Sequence, residues 1–139
     1  MNRDILFRAK LKDDYSNKGW QYGLVYCTWF SGSIFKYWLK PIKKKNLTTF
    51  DTVCVDPETI CEYTGITDKD GNKIFEGDIL QINFRNEEIG RVHIYYKYSM
   101  YLCDVIYGDI DFDTLGMLDA NYQLKVIGNV YDNPELIEK

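Results

Sequence analysis

Histidine, cysteine and clustered carboxylates supply most general acid–base, nucleophilic and metal chemistry in proteins. In this 139-residue chain they are few and scattered. There is one histidine, His93, and there are four cysteines, Cys27, Cys54, Cys61 and Cys103. His93 lies between Val92 and Ile94, with no signature beside it for the nucleophile or carboxylate that a catalytic imidazole works with. The cysteines form no CxxC pair, whereas structural zinc sites pair their ligands at close spacing. They read instead as small apolar side chains in a reducing compartment. Asp68-Lys69-Asp70-Gly71-Asn72 has the oxygen-bearing side chains of a calcium loop. Its glycine falls fourth rather than sixth, however, which breaks the ligand geometry. A hairpin turn accounts for it better: Asp and Asn bond their own backbone, and glycine accepts positive φ. No catalytic residue, metal or cofactor is expected, and the chain reads as a non-enzyme.

Two charged sets remain. Lys36, Lys40, Lys43, Lys44 and Lys45 cluster with Tyr37 and Trp38, and cations interleaved with aromatic rings suit phosphates and stacked bases. Lysines also protect an exposed edge strand from pairing with a neighbour. Asp104, Asp109, Asp111, Asp113 and Asp119 form an acidic stretch, which reads as a solvated loop or as a counter-surface for the lysines of another subunit. The asymmetry runs through the whole chain. Residues 1–50 hold ten Lys and Arg against three Asp and Glu, and the remainder seven against eighteen. The formal net charge is −4, whereas dedicated nucleic-acid binders are basic overall. Opposite charges in the two halves fit electrostatic partnering, either between segments of one subunit or between subunits.

The elements that would position these residues are strands. Only Ala9 and Ala120 represent the strongest helix former, while twelve tyrosines and three tryptophans suit pleated, half-buried surfaces. Period-2 alternation predicts strands over Ile5–Leu11, Trp20–Thr28 and Ile34–Lys40, the last ended by Pro41. Further strands are expected at Phe50–Val55, Thr59–Ile66, Ile79–Phe84, Arg91–Tyr96, Met100–Tyr107 and Tyr122–Tyr131. Turns are expected at 12–19, 31–33, 67–78 and 85–90, and loops at 43–49 and 108–119. Asn133-Pro134 predicts a short helical turn near the C-terminus. Such spacing favours a barrel or sandwich. One domain is expected, or two closely packed β subdomains at about 1–50 and 51–139. No apolar run approaches the roughly 20 residues of a membrane helix. The charged opening MNRDILFRAKLKDDY does not read as a signal peptide, so a cytoplasmic location is expected.

Three stretches also carry a family resemblance: RDILFRAKL at the N-terminus, VDPETICEYTGITDKDGNKIFEGDIL in the centre and YQLKVIGNVYDNPELIEK at the C-terminus. They resemble the YopX-like family of phage and prophage proteins. The matching positions include Phe7, Arg8, Ala9, Tyr63, Thr64, Gly65, Asp68, Gly71, Glu76, Gly77, Asp78, Val126, Ile127, Gly128, Asn129, Asn133 and Pro134. Cys61 departs from the pattern, which more often has a small residue there. The resemblance implies a mainly β fold of barrel-like antiparallel sheets, a phage or prophage origin and a bacterial host cytoplasm. It brings no catalytic or ligand residues with it.

The expected function is therefore a non-enzymatic, phage-encoded interaction module that self-assembles or binds a protein partner, with Trp20, Trp29 and Trp38 as candidate anchors. The alternative is a nucleic-acid-binding accessory protein using the Lys36–Lys45 segment.

Overall fold

The structure, a computed structural model, describes residues 4–12, 19–30, 32, 34–42 and 52–138. The chain divides into two compact units, Met1–Tyr63 and Thr64–Lys139. The first unit thus extends past residue 50.

The first unit is built on antiparallel strands β1 (Phe7–Ala9), β2 (Gln21–Phe30), β3 (Ile34–Pro41), β4 (Val53–Val55) and the start of β5 (Cys61–Thr67). Their order in the sheet is β4-β3-β2-β1-β5, with β6 (Lys73–Phe75) beyond. Alternation sets the faces. Val25 lies opposite Leu39 and Leu39 opposite Val53, while Tyr37 lies opposite Val55. These odd-numbered positions pack on a core of Ala9, Leu39 and Val55. Gly23 is required where β2 meets β3, because a Cβ there would strike the Lys40 carbonyl. Asp56 caps a 3₁₀ turn at Pro57–Thr59, accepting from Glu58 N at 3.0 Å. A tight helical turn therefore precedes β5, since Asp before Pro is a strong start signal. Just past β1, Leu11 bridges Val55, Lys12 N donates to Cys54 O (3.1 Å) and Asp56 N donates to Lys10 O (2.8 Å).

The second unit holds a four-stranded antiparallel sheet in the order β10-β7-β8-β9. Its strands are β7 (Asp78–Phe84), β8 (Glu87–Lys97), β9 (Met100–Gly108) and β10 (Gln123–Asn129), and one helix, α1 (Leu115–Asn121), precedes β10. Ile74, Leu80, Ile82, Val92, Ile94, Cys103, Leu115, Leu118 and Leu124 form its core. The β7–β8 turn is only two residues, Arg85 and Asn86, both at positive φ (52° and 66°). Such a turn matches the twist of its flanking strands, so β8 starts four residues earlier than the sequence suggests.

Two elements escape the sequence reading. Within the expected polar turn, Lys73–Phe75 forms β6, with Ile74 and Phe75 buried. Within the expected acidic loop, α1 forms because Leu115 and Leu118 are one turn apart and Thr114 Oγ1 accepts from Met117 N (3.3 Å). Among the described residues the fold is mainly β, with two antiparallel sheets and one α-helix. No helix among the described residues is long and apolar enough to cross a membrane.

Candidate functional site

The register of β2 with β3 sorts the basic aromatic segment. Lys36, Trp38 and Lys40 share the face opposite the core, whereas Tyr37 packs against the core cluster. Tyr37 therefore leaves the candidate surface, as period-2 geometry demands of an odd neighbour. Lys43, Lys44 and Lys45 lie outside the described residues. Across from the lysines, β2 adds a row that the sequence reading missed. Tyr22 (38% exposed), Leu24 (46%) and Tyr26 (47%) all face solvent. Thr28 lies opposite Lys36, Tyr26 opposite Trp38 and Leu24 opposite Lys40. The Trp38 indole N–H donates to Thr28 Oγ1 (2.8 Å), one rung diagonally away, which lays the ring across the two strands. Beside Tyr22 on β1 lies Arg8, its guanidinium 4.4 Å from the Trp20 ring centre, with Lys10 Nζ at 5.3 Å. β1, β2 and β3 contain no Asp or Glu. The missed row was detectable only by fixing the β2–β3 register, because Tyr22, Leu24 and Tyr26 carry no charge to mark them.

None of the three tryptophans is buried. Trp20 and Trp38 are half-buried, and Trp29 is 68% exposed. Trp29 sits opposite Phe35 near the end of the β2–β3 hairpin, beyond the rungs that β1 and β4 flank. A second aromatic hairpin end occurs in the other unit. The last rungs of β8–β9 pair Tyr95 with Leu102, Tyr96 with Tyr101 and Lys97 with Met100, past the final β7 partner at His93. Its turn is Tyr98-Ser99, both at positive φ (55° and 60°), and Tyr98 is 73% exposed.

The acidic set lies in the second unit. Asp104 is on β9, opposite His93. Asp109, Asp111 and Asp113 are exposed and alternate with Ile110 and Phe112, which pack on the core. The Asp113 carbonyl accepts from Cys103 N (2.9 Å). The stretch is thus a pinned extended segment with its carboxylates outward. His93 Nδ1 stands 3.7 Å from Asp104 Oδ2, too far for a hydrogen bond. The histidine occupies a half-buried strand position, as its apolar neighbours suggest. Burial first, then Asp113 and Asp104, push the Cys103 thiol up to about 11, far from the thiolate a nucleophile needs.

The other polar motifs serve the backbone. Asp68 Oδ1 accepts from Asp70 N (2.9 Å) and Asn72 N (2.8 Å), and its Oδ2 from Asn72 Nδ2 (3.3 Å) and Val126 N (3.0 Å). With Gly71 at φ 84° this is the hairpin turn expected, its carboxylate occupied by N–H donors rather than open to a cation. Asp78 Oδ2 accepts from Phe75 N (2.8 Å), and Gly77, at φ 81°, turns the chain into β7. Asn129 Oδ1 accepts from Tyr131 N (3.0 Å) and Asp132 N (2.9 Å), just after the β-bulge between Val126 and Gly128. Among the described residues no three His, Cys, Asp or Glu side chains gather to hold a metal ion.

These buried turns and caps fall on the stretches that carry the resemblance, and the model of the family described as YopX protein matches residues 7–138. The chain belongs to the YopX family. Among solved structures, this YopX-family chain is similar to protein EF1440 from Enterococcus faecalis. The two are 24% identical, with 98% of this chain and 99% of that one covered, and the TM-score is 0.55. At that identity the likeness speaks for the fold alone. No curated protein matches the chain.

Proposed function

We propose that this YopX-family protein is a non-enzymatic interaction module of phage or prophage origin, working in the bacterial host cytoplasm by self-association or by binding a protein partner. One observation carries the reading: aromatic rings concentrate at the unflanked ends of two hairpins, Trp29 on β2–β3 and Tyr98 on β8–β9. Tryptophan and tyrosine at solvent are the anchors that dominate protein interfaces. Tyr98 is further marked by its backbone. A bulky residue at positive φ costs stability where Asn-Gly would be cheap, so a tyrosine at this tip fits a contact role better than a folding one. The non-enzymatic reading is supported by how the buried polar side chains are used. The Asp68 and Asn129 side chains, the Asp78 carboxylate and Thr64 Oγ1, which donates to Ile74 O, all hold backbone. A barrel-like closure of the N-terminal sheet is supported by the bonds that Lys12 N donates to Cys54 O of β4 and that Lys10 O accepts from Asp56 N just past it.

The test is size-exclusion chromatography with light scattering on the full chain, Trp29→Ser and Tyr98→Ser, at low and high salt. A defined oligomer lost in either variant, with circular dichroism unchanged, is the expected result. A wild-type monomer overturns self-association, and an oligomer intact in both variants overturns these rings as its contact.

A second reading is favoured by a different surface. The solvent face of β2–β3 alternates lysine with aromatic rings and carries no carboxylate, which suits a nucleic acid.

A further inference from the structure

We infer that the solvent face of β2–β3 is a platform for single-stranded rather than duplex nucleic acid, a deepening that rests on the nucleic-acid reading above.

The rungs of this face alternate in character. Lys36 with Thr28 is followed by Trp38 with Tyr26, then Lys40 with Leu24, then Tyr22, whose neighbour Arg8 on β1 is buried. Cationic rungs therefore flank the paired aromatic rung on both sides. The order suits a polymer in which every planar base hangs from a charged phosphate, because ring stacking and phosphate contact are met in turn along one line. Charge complementarity favours a polyanion over a protein surface. The strands themselves hold no acid. Glu62 of β5, which pairs with Phe7 of β1, falls by alternation on the other face from Lys36, Trp38 and Lys40, and Asp56 just past β4 caps the following turn.

Spacing decides between single strand and duplex. Same-face residues along a strand lie about 7 Å apart. Duplex bases rise about 3.4 Å and are already stacked on one another, so their faces are closed to Tyr22, Tyr26 and Trp38. An unstacked strand can splay its bases at the wider interval and lay one on the Trp38–Tyr26 rung. The indole is held for this by its bond to Thr28, so the ring is in place before a base arrives.

The experiment is fluorescence anisotropy of a labelled oligothymidine and of a duplex of equal length, titrated with the full chain at several salt concentrations. Three proteins are compared: wild type, Tyr26→Ala and Lys36→Gln/Lys40→Gln. Tyr26 and both lysines are exposed, so the variants should fold, which circular dichroism checks. The single strand should bind more tightly than the duplex. Tyr26→Ala should weaken single-strand binding roughly tenfold, as the loss of one base-stacking ring does. Lys36→Gln/Lys40→Gln should reduce the salt slope by about 1.4, at about 0.7 per phosphate contact. Equal affinity for both oligonucleotides, unmoved by Tyr26→Ala but lowered by the lysine variant, overturns the single-strand inference and leaves the nucleic-acid reading standing. No binding of either at low salt overturns both. Self-association abolished by Tyr26→Ala, without oligonucleotide binding, assigns the face to a second copy and overturns the inference.

Discussion

Asp68 should be one of the most sensitive positions in the second unit. Its carboxylate is 6% exposed and accepts four hydrogen bonds, three from the turn it heads and one from Val126 on β10. Burial pushes its pKa up, but the bonds from Val126, Asn72 and Asp70 together outweigh this and hold it below the ordinary 3.8. A hydrogen bond to a charged group contributes about 1.5–3 kcal/mol. Asp70 and Asn72 can turn part of their N–H groups to water, whereas Val126 N–H sits in a strand and cannot. Asp68→Ala should therefore cost about 3–5 kcal/mol, a large share of a domain's typical stability. Asp68→Asn should cost about 2 kcal/mol, because an amide of the same shape keeps one acceptor but turns an NH2 group toward one of the donors. Urea unfolding followed by circular dichroism measures both, and amide exchange at Val126 and Asn72 locates the loss. The pH dependence gives the sharper test. A carboxylate whose folded pKa lies below its unfolded value stabilises fully above the unfolded value, and loses that contribution as pH falls through the folded one. The gap between wild type and Asp68→Asn should thus be widest above the ordinary carboxylate range and shrink as the pH falls below it. A gap that stays constant with pH, or is under about 0.5 kcal/mol at neutral pH, would refute the clamp.

Three further outcomes are expected. Replacing Tyr98-Ser99 by Asn-Gly should raise stability by about 0.5–1 kcal/mol, since both residues lie at positive φ. The same change should weaken any oligomer seen by light scattering, and a stability loss would show that the tip is not strained. Asn129→Ala should lower stability by about 2 kcal/mol in urea, because the N–H groups of Tyr131 and Asp132 lose their acceptor. Asn129→Asp keeps the acceptor but loses the bond from Asn129 Nδ2 to Asp132 Oδ2 (3.0 Å) and sets two carboxylates together, so it should also destabilise, and less so at acid pH. With a thiol reagent at mild alkaline pH, exposed Cys27 should react first, while buried Cys61 and Cys103 wait for unfolding. Rapid native modification of Cys103 would contradict the burial that raises its pKa.

Strand identity was legible because alternation is a local signal. Ile34–Lys40 carries it in full, and the structure extends that strand by only one residue, to Pro41. The turn from Asp68 to Asn72 was legible for the same reason, since its residue types announce it. What failed was whatever depended on a distant partner. Lys73–Phe75 is three residues long, too short to show a period. α1 spans seven residues around Gly116, and its two buried leucines gain meaning only against the core that receives them. The candidate surface was half legible for the same cause. Lys36, Trp38 and Lys40 stand out in one dimension, whereas Tyr22, Leu24 and Tyr26 join them only through the β2–β3 register. That register also removes Tyr37, which composition alone had grouped with them.

The positions that tie this chain to its family and the positions that could meet a partner are largely different residues. Asp68, Gly77, Asp78 and Asn129 close turns and fix strand entries from inside the second unit. The rings of Trp29, Tyr26 and Tyr98 face solvent. Family membership therefore accounts for a scaffold, and the contact chemistry has to be sought in the hairpins that the scaffold displays. This separation has a measurable consequence. Tyr26→Ala and Trp29→Ser should leave the unfolding free energy in urea within about 0.5 kcal/mol of wild type, as surface substitutions usually do, while altering assembly or oligonucleotide binding. Asn129→Ala should do the reverse. If Tyr26→Ala or Trp29→Ser unfolds the first unit instead, those rings are part of its scaffold. The assignment of scaffold and contact would then have to be redrawn around them.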